Sequence, residues 1–201
     1  MKRVIYSLYV DIPAKEHYGD SKIKYDTTEK AGVTVNAFKK HYQKLIDSKK
    51  KYAKSIGADF VMFEYDLHYK TFERNFKKDF PMFTGYEIIN FYKIHLLTEL
   101  TKLYDEILYL DFDAVPLTDK SFFEAWDLSK GIAIQHNTHK VIPMDAVTER
   151  SQTIRSPTAK YYNAQAMLLD RELNPKHNVV NTGIVGASKE YIQKLKYFDN
   201  F

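Results

Sequence analysis

An α/β domain with a mostly parallel central sheet flanked by helices is predicted by three observations in this 201-residue chain. The opening third reads strand, helix, strand. A second helical pattern then runs into a short apolar strand, and that strand delivers two aspartates, Asp111 and Asp113, to its carboxyl end. Strands alternating with helices imply parallel pairing with right-handed crossovers.

The first strand is Arg3 to Ile12, RVIYSLYVDI, rich in β-branched and aromatic residues and stopped by Pro13. A polar segment from Ala14 to Gly32 follows. Val35, Phe38, Tyr42, Leu45, Ile46, Tyr52, Ala53 and Ile56 recur at helical spacing, and Gly57 supplies the stop of a long amphipathic helix. Asp59 to Tyr65, DFVMFEY, is the second strand. From Tyr86 to Tyr104 the pattern Ile88, Ile89, Tyr92, Leu96, Leu97, Leu100 and Leu103 predicts another helix, and Glu106 to Asp111 the strand after it. A short helix is expected over Ser121 to Trp126, a strand over Gly131 to Gln135 and a helix over Tyr161 to Leu169. The last strand runs from Val179 to Val185 and ends at Gly186; a final helix covers Lys189 to Tyr197. Val141 to Thr158 reads as a loop. With no internal repeat, low-complexity tract or linker, residues 1–201 are expected to form one domain.

Composition narrows the partners. No apolar stretch approaches the roughly 20 residues needed to cross a bilayer, and the Met-Lys-Arg start leads into a strand rather than a signal-peptide core, so a cytoplasmic protein is expected. Absence of Cys removes disulfides, thiolate zinc sites and cysteine nucleophiles, leaving oxygen or imidazole for any metal. The net charge of +4 suits a small anionic ligand such as a nucleotide, whereas nucleic-acid binding would call for a denser basic stripe. Lys49-Lys50-Lys51 and Lys77-Lys78 read as solvated helix faces.

Asp111 and Asp113 stand at i and i+2 of an extended segment, so both carboxylates point the same way and can face one cation. Spacing alone is weak, because 15 Asp in 201 residues supply about one D-x-D by chance. Context gives it force: in open α/β sheets the crevice beyond the carboxyl ends of strands is where ligands sit. Two chemistries fit. One is a divalent cation bridging the pair to a diphosphate, since Mg²⁺ or Mn²⁺ takes hard oxygen ligands and needs only one or two protein carboxylates when phosphate and water fill the rest. The other is phosphoryl transfer, because Leu110-Asp111-Phe112-Asp113-Ala114-Val115 resembles the motif of haloacid-dehalogenase-type phosphatases, with Asp111 as nucleophile and Asp113 as acid/base. That fold places the motif on its first strand and needs a downstream acidic pair; here at least two predicted strands come first, and no Asp-Asp doublet follows. A third reading makes both aspartates turn formers, with Pro116 fixing a bend.

Residues Phe91 to Trp126 resemble the central segment of GT-A nucleotide-sugar glycosyltransferases, family 8 in particular. The matching features are Lys93 on the preceding helix, the apolar strand, the D-x-D, the Val115-Pro116 step and Phe122-Phe123-Glu124-Ala125-Trp126; farther on, Val180-Asn181-Thr182-Gly183-Ile184-Val185 resembles that family's N-x-G strand. The resemblance implies a GT-A, Rossmann-like fold and metal-dependent transfer of a sugar, with retention, from a nucleoside diphosphate donor (a UDP-sugar) to a glycan or glycoprotein acceptor. It implies that Asp113 is the main ligand of Mn²⁺ or Mg²⁺, with Asp111 on the metal, the ribose or both. Lys93 would approach donor phosphate or sugar, Asn181 and Thr182 would line the sugar or acceptor side, and Tyr9 and Asp11 would touch the nucleoside. Virus-encoded glycosyltransferases share this compact type.

The chain departs from that family after the N-x-G strand, where no histidine follows to complete the metal site. Either a minimal enzyme or the N-terminal fragment of a longer protein is expected. His177 is a substitute ligand to consider. His136 and His139, three apart, have a spacing compatible with zinc but lack an evident third ligand, and Asp170 and Glu172 could act as acid and base or stand as a solvated pair. A sugar-nucleotide-binding module without turnover is the non-enzymatic alternative.

Overall fold

The computed structural model describes residues 1–12, 24–136, 172 and 180–196. The chain forms two compact units, Met1–Ala133 with Gly183–Phe201, and Ile134–Thr182. In chain order the elements are β1 (Arg3–Leu8), α1 (Lys24–Ser55), β2 (Asp59–Phe63), α2 (Leu67–Asp79), α3 (Gly85–Leu100), β3 (Glu106–Leu110), α4 (Phe122–Ala125), a 3₁₀ turn (Leu128–Lys130), β4 (Ala133–His136), β5 (Val180–Ser188) and α5 (Lys189–Leu195). The expected helix over Tyr161 to Leu169 and the loop Val141 to Thr158 lie outside the described residues, as do His139, Asp170 and His177.

The five strands form one sheet in the order β2-β1-β3-β5-β4. β1 pairs in parallel with both β2 and β3, as the βαβ reading requires. The expectation of a mostly parallel sheet is corrected at β5, which runs antiparallel to β3 and makes the sheet mixed; Leu108 faces Gly186 and Leu110 faces Ile184. Residue type and alternation mark a segment as strand but carry the same pattern in either direction, so they did not encode this reversal.

Side chains alternate across the buried strands β1 and β3. Ile5 and Leu108, partners in the β1/β3 register, pack with Leu110, Tyr52 and Ala53 of α1, Phe123 and Leu128 in one buried cluster. On the opposite face Tyr6 and Tyr109 are register partners with rings 5.0 Å apart, and the Tyr6 hydroxyl donates to the Lys93 carbonyl of α3 at 2.8 Å. Helices therefore cover both faces. α1 ends at Gly57, whose φ of +67° is the left-handed stop expected of that glycine.

α2 is a helix that the sequence reading did not place. Asp66 caps it by accepting from the Tyr69 amide, and Tyr69, Phe72 and Phe76 supply its buried stripe. Phe72 and Tyr69 pack on Tyr92 of α3 with ring centroids 5.0 and 5.1 Å apart. α3 starts in a reciprocal capping box between Thr84 and Glu87.

Gly186 does not end the last strand, which continues to Ser188. Its role is close packing: a Cβ there would lie 2.3 Å from Cε1 of Phe122. Gly186→Ala should therefore destabilise the fold by about 1–3 kcal/mol, through displacement of the Phe122 ring. A thermal unfolding midpoint equal to that of the parent would refute this.

Candidate functional site

Parallel pairing brings the carboxyl ends of β1, β2 and β3 to one edge, where Leu8 pairs with Phe63 and the Tyr9 amide donates to the Phe63 carbonyl at 2.9 Å. β3 leaves this edge in a tight turn. The Asp111 amide donates to the Gly183 carbonyl of β5 at 2.7 Å, and the Ala114 amide closes back onto the Asp111 carbonyl at 2.9 Å.

The Asp111 side chain continues the face of Tyr109, two residues earlier. The Tyr109 hydroxyl donates to Asp111 Oδ1 at 2.6 Å, and the Lys93 ammonium stands 3.4 Å from the same oxygen and 4.6 Å from the centre of the Tyr109 ring. Lys93 is 7% exposed. Burial lowers its pKa, while the charge of Asp111 and their hydrogen bond oppose that shift. Burial, then the neighbouring Asp111, raises Tyr109 well above the usual phenol range, so it stays protonated and keeps donating. Asp113, one residue past Phe112, is exposed.

On the other face of the sheet a second lysine reaches the turn. Lys49 of α1 is 0% exposed and donates to the Phe112 carbonyl at 2.6 Å and to the Leu45 carbonyl at 3.3 Å. Of the cluster read as a solvated face, only Lys50 and Lys51 are exposed; for Lys49 that reading is corrected. The signal was present in the spacing, because Lys49 lies three residues after Ile46 and four before Ala53, on the buried stripe of α1. Tyr109 also went unnoticed as a site residue, although i, i+2 spacing puts it beside Asp111.

Burial pushes the Lys49 pKa down to about 8, against the opposing charges of Asp113 and Asp111. A folded-state pKa below the unfolded value of roughly 10.4 means that the unfolded chain binds more protons between those limits. The penalty for burying this charge is present in full below pH 8 and is relieved as pH rises toward 10. Stability should therefore gain on the order of 1 kcal/mol from pH 7.5 to 9.5, after allowance for solvent screening. Urea unfolding at the two pH values checks this; in Lys49→Met the gain should shrink to what Lys93, whose pKa burial also lowers, contributes.

Tyr9 stacks on Phe112 with ring centroids 4.6 Å apart and neighbours Phe38 and Tyr42 of α1, so it belongs to an aromatic cluster at the same edge. Asp11 is paired with Lys39 at 2.9 Å, and any nucleoside hydroxyl would share its carboxylate with that lysine. Asn181 and Thr182 lie on β5 within the second unit, Asn181 half-buried and Thr182 exposed. Glu172 is an exposed turn residue with φ +57°. The main chain of His136 closes β4.

A cavity of about 430 Å³ lined by Met1, Lys2, Arg3, Gly57, Asp59, Leu103 and Tyr104 opens at the amino ends of β1 and β2, away from the aspartates. No known family, curated protein or solved structure matches this chain. Among the described residues no three His, Asp or Glu side chains converge as a ready-made metal cage, and no helix is long and apolar enough to cross a membrane. Two carboxylates at a strand end are a donor set that suits a hard cation sharing its remaining positions with phosphate oxygens and water.

Proposed function

We propose that the protein is a metal-dependent glycosyltransferase of the GT-A type, moving a sugar from a nucleoside diphosphate donor, a UDP-sugar, to a glycan or glycoprotein acceptor. The observation that carries this reading is the aspartate turn at the carboxyl end of β3. One Asp111 oxygen is engaged by Tyr109 and Lys93, while Asp113, two residues on in the same turn, is exposed. Asp111 and Asp113 would hold Mn²⁺ or Mg²⁺, whose chemistry when bound is Lewis-acid assistance to the departing nucleoside diphosphate.

The protein's own groups account for the rest of the proposal. Tyr109 and Lys93 fix the Asp111 carboxylate in one orientation. Lys93 also brings a positive charge to the side where donor phosphate would lie. Tyr9 offers a half-buried ring at the same edge for the nucleoside. Retention of configuration is proposed from the family-8 resemblance. Against the phosphatase alternative stands the order of the strands, since β1 and β2 both precede the motif.

Calorimetric titration of UDP with and without Mn²⁺ tests the proposal. Manganese-dependent binding is the expected result. Silence with both UDP and GDP would remove the glycosyltransferase reading, and an acid-stable, base-labile phosphoenzyme on Asp111 would replace it with the phosphatase. Binding without transfer to any acceptor or hydrolysis would leave a sugar-nucleotide-binding module.

A further inference from the structure

The direction of a side chain at a turn is set by the peptide planes on either side of it. Around the two aspartates each plane is held by a hydrogen bond. The plane joining Leu110 to Asp111 is held twice, by Ser7 Oγ donating to the Leu110 carbonyl at 2.6 Å and by the Asp111 amide on Gly183. The Ala114 amide on the Asp111 carbonyl holds the planes that follow Asp111 and Asp113. The plane between Phe112 and Asp113 is held by a side chain, the Lys49 ammonium.

Lys49 is an expensive residue for that duty. A buried ammonium is costly unless it is well paired, and the acceptors on its nitrogen are two neutral carbonyl oxygens. An apolar side chain of the same length would fill the stripe between Ile46 and Ala53 more cheaply. What it would lack is a donor for the Phe112 carbonyl. Lys49 also stands 5.5 Å from the centre of the Phe112 ring, so it engages the residue between the aspartates at both carbonyl and ring.

We infer that Lys49 is a positioning residue for the aspartate pair: by holding the Phe112 carbonyl it sets the direction in which Asp113 leaves the turn. Its nitrogen is buried and touches no ligand; it acts through the peptide group it orients. The inference rests on the metal–diphosphate reading for one of its two readouts only.

The test compares the parent with Lys49→Met, which keeps an unbranched apolar stem as far as Cε and removes the donor, and with Lys49→Gln, which restores a neutral N–H. The first readout needs no ligand. In Lys49→Met the Ala114 amide should exchange with solvent about tenfold faster while the buried amides of β1 are unchanged, and Lys49→Gln should return it toward the parent rate. The second readout is the affinity for UDP with Mn²⁺, which should fall about 10- to 100-fold in Lys49→Met and recover in Lys49→Gln, with thermal stability equal to or above that of the parent. If the parent itself does not bind UDP, the donor reading falls and the exchange rates still decide the role of Lys49. Unchanged Ala114 exchange in Lys49→Met would overturn the inference. So would failure of Lys49→Met to fold, which would make the lysine a requirement of the core, or failure of Lys49→Gln to restore either readout.

Discussion

Asp113→Ala is expected to abolish manganese-dependent UDP binding, weakening it by about two orders of magnitude or more, and to leave the fold intact. Loss of an outer partner of a metal ligand already costs about 10- to 100-fold, and a direct ligand should cost more. Among the described residues the Asp113 carboxylate takes part in no hydrogen bond or ion pair, and it is exposed, so its removal breaks none of their polar contacts. Asp111→Asn should behave differently. It neutralises the counter-charge of the buried Lys93 and disturbs the Tyr109 hydrogen bond, so both binding and thermal stability should fall. Calorimetry and thermal unfolding on the two variants separate these outcomes. Parent-like UDP affinity in Asp113→Ala would sink the metal assignment.

Leu108→Ala should lower the unfolding free energy by about 2–5 kcal/mol, a large part of the roughly 5–15 kcal/mol that holds an ordinary domain together. Leu108 sits at the middle of β3, with Ile5 of β1 as its register partner on one side and Gly186 of β5 on the other. Its side chain is 1% exposed and packs in the cluster that joins α1 to Phe123 and Leu128. Because Gly186 has no side chain and Phe122 already occupies that space, relaxation from that side is restricted and the truncated site should keep much of its cavity. Urea unfolding measures the effect; a loss below about 1 kcal/mol would show that the core closes over the gap.

β1, α1, β2, α3 and β3 were legible in the sequence because each carries a clean periodicity, with Gly57 after the first helix and Asp111 after the third strand as punctuation; the first strand stops at Leu8, short of the expected Ile12. α2 was harder to read. Its stripe is built from Tyr69, Phe72 and Phe76, aromatics that suit strands as readily as helices, set among Lys70, Arg74, Lys77 and Lys78. The direction of β5 was not legible, since pairing direction belongs to the partner strand and not to the residue pattern. The place of the aspartates at the carboxyl end of β3 could be read from context, but their relative direction could not, because i and i+2 spacing assumes an extended segment and the Ala114-to-Asp111 hydrogen bond closes a turn over the pair. Lys49 could not be separated from Lys50 and Lys51 by residue type; what distinguishes it is the face of α1 on which it falls.

The hydrogen bond from the Asp111 amide to the Gly183 carbonyl has a consequence for how the protein is made. β1, α1, β2 and β3 leave the ribosome as a contiguous block able to pair in parallel at once, while the part of β5 that pairs with β3, residues 184–188, arrives only after the whole second unit has been synthesised. Until then β3 is an open edge, with unpaired main-chain groups available to any passing strand. The aspartates are thus translated early and set late. A nascent chain stalled before residue 180 would carry the complete D-x-D motif with its backbone still solvated on one side, a species more prone to edge-to-edge association than to ligand binding.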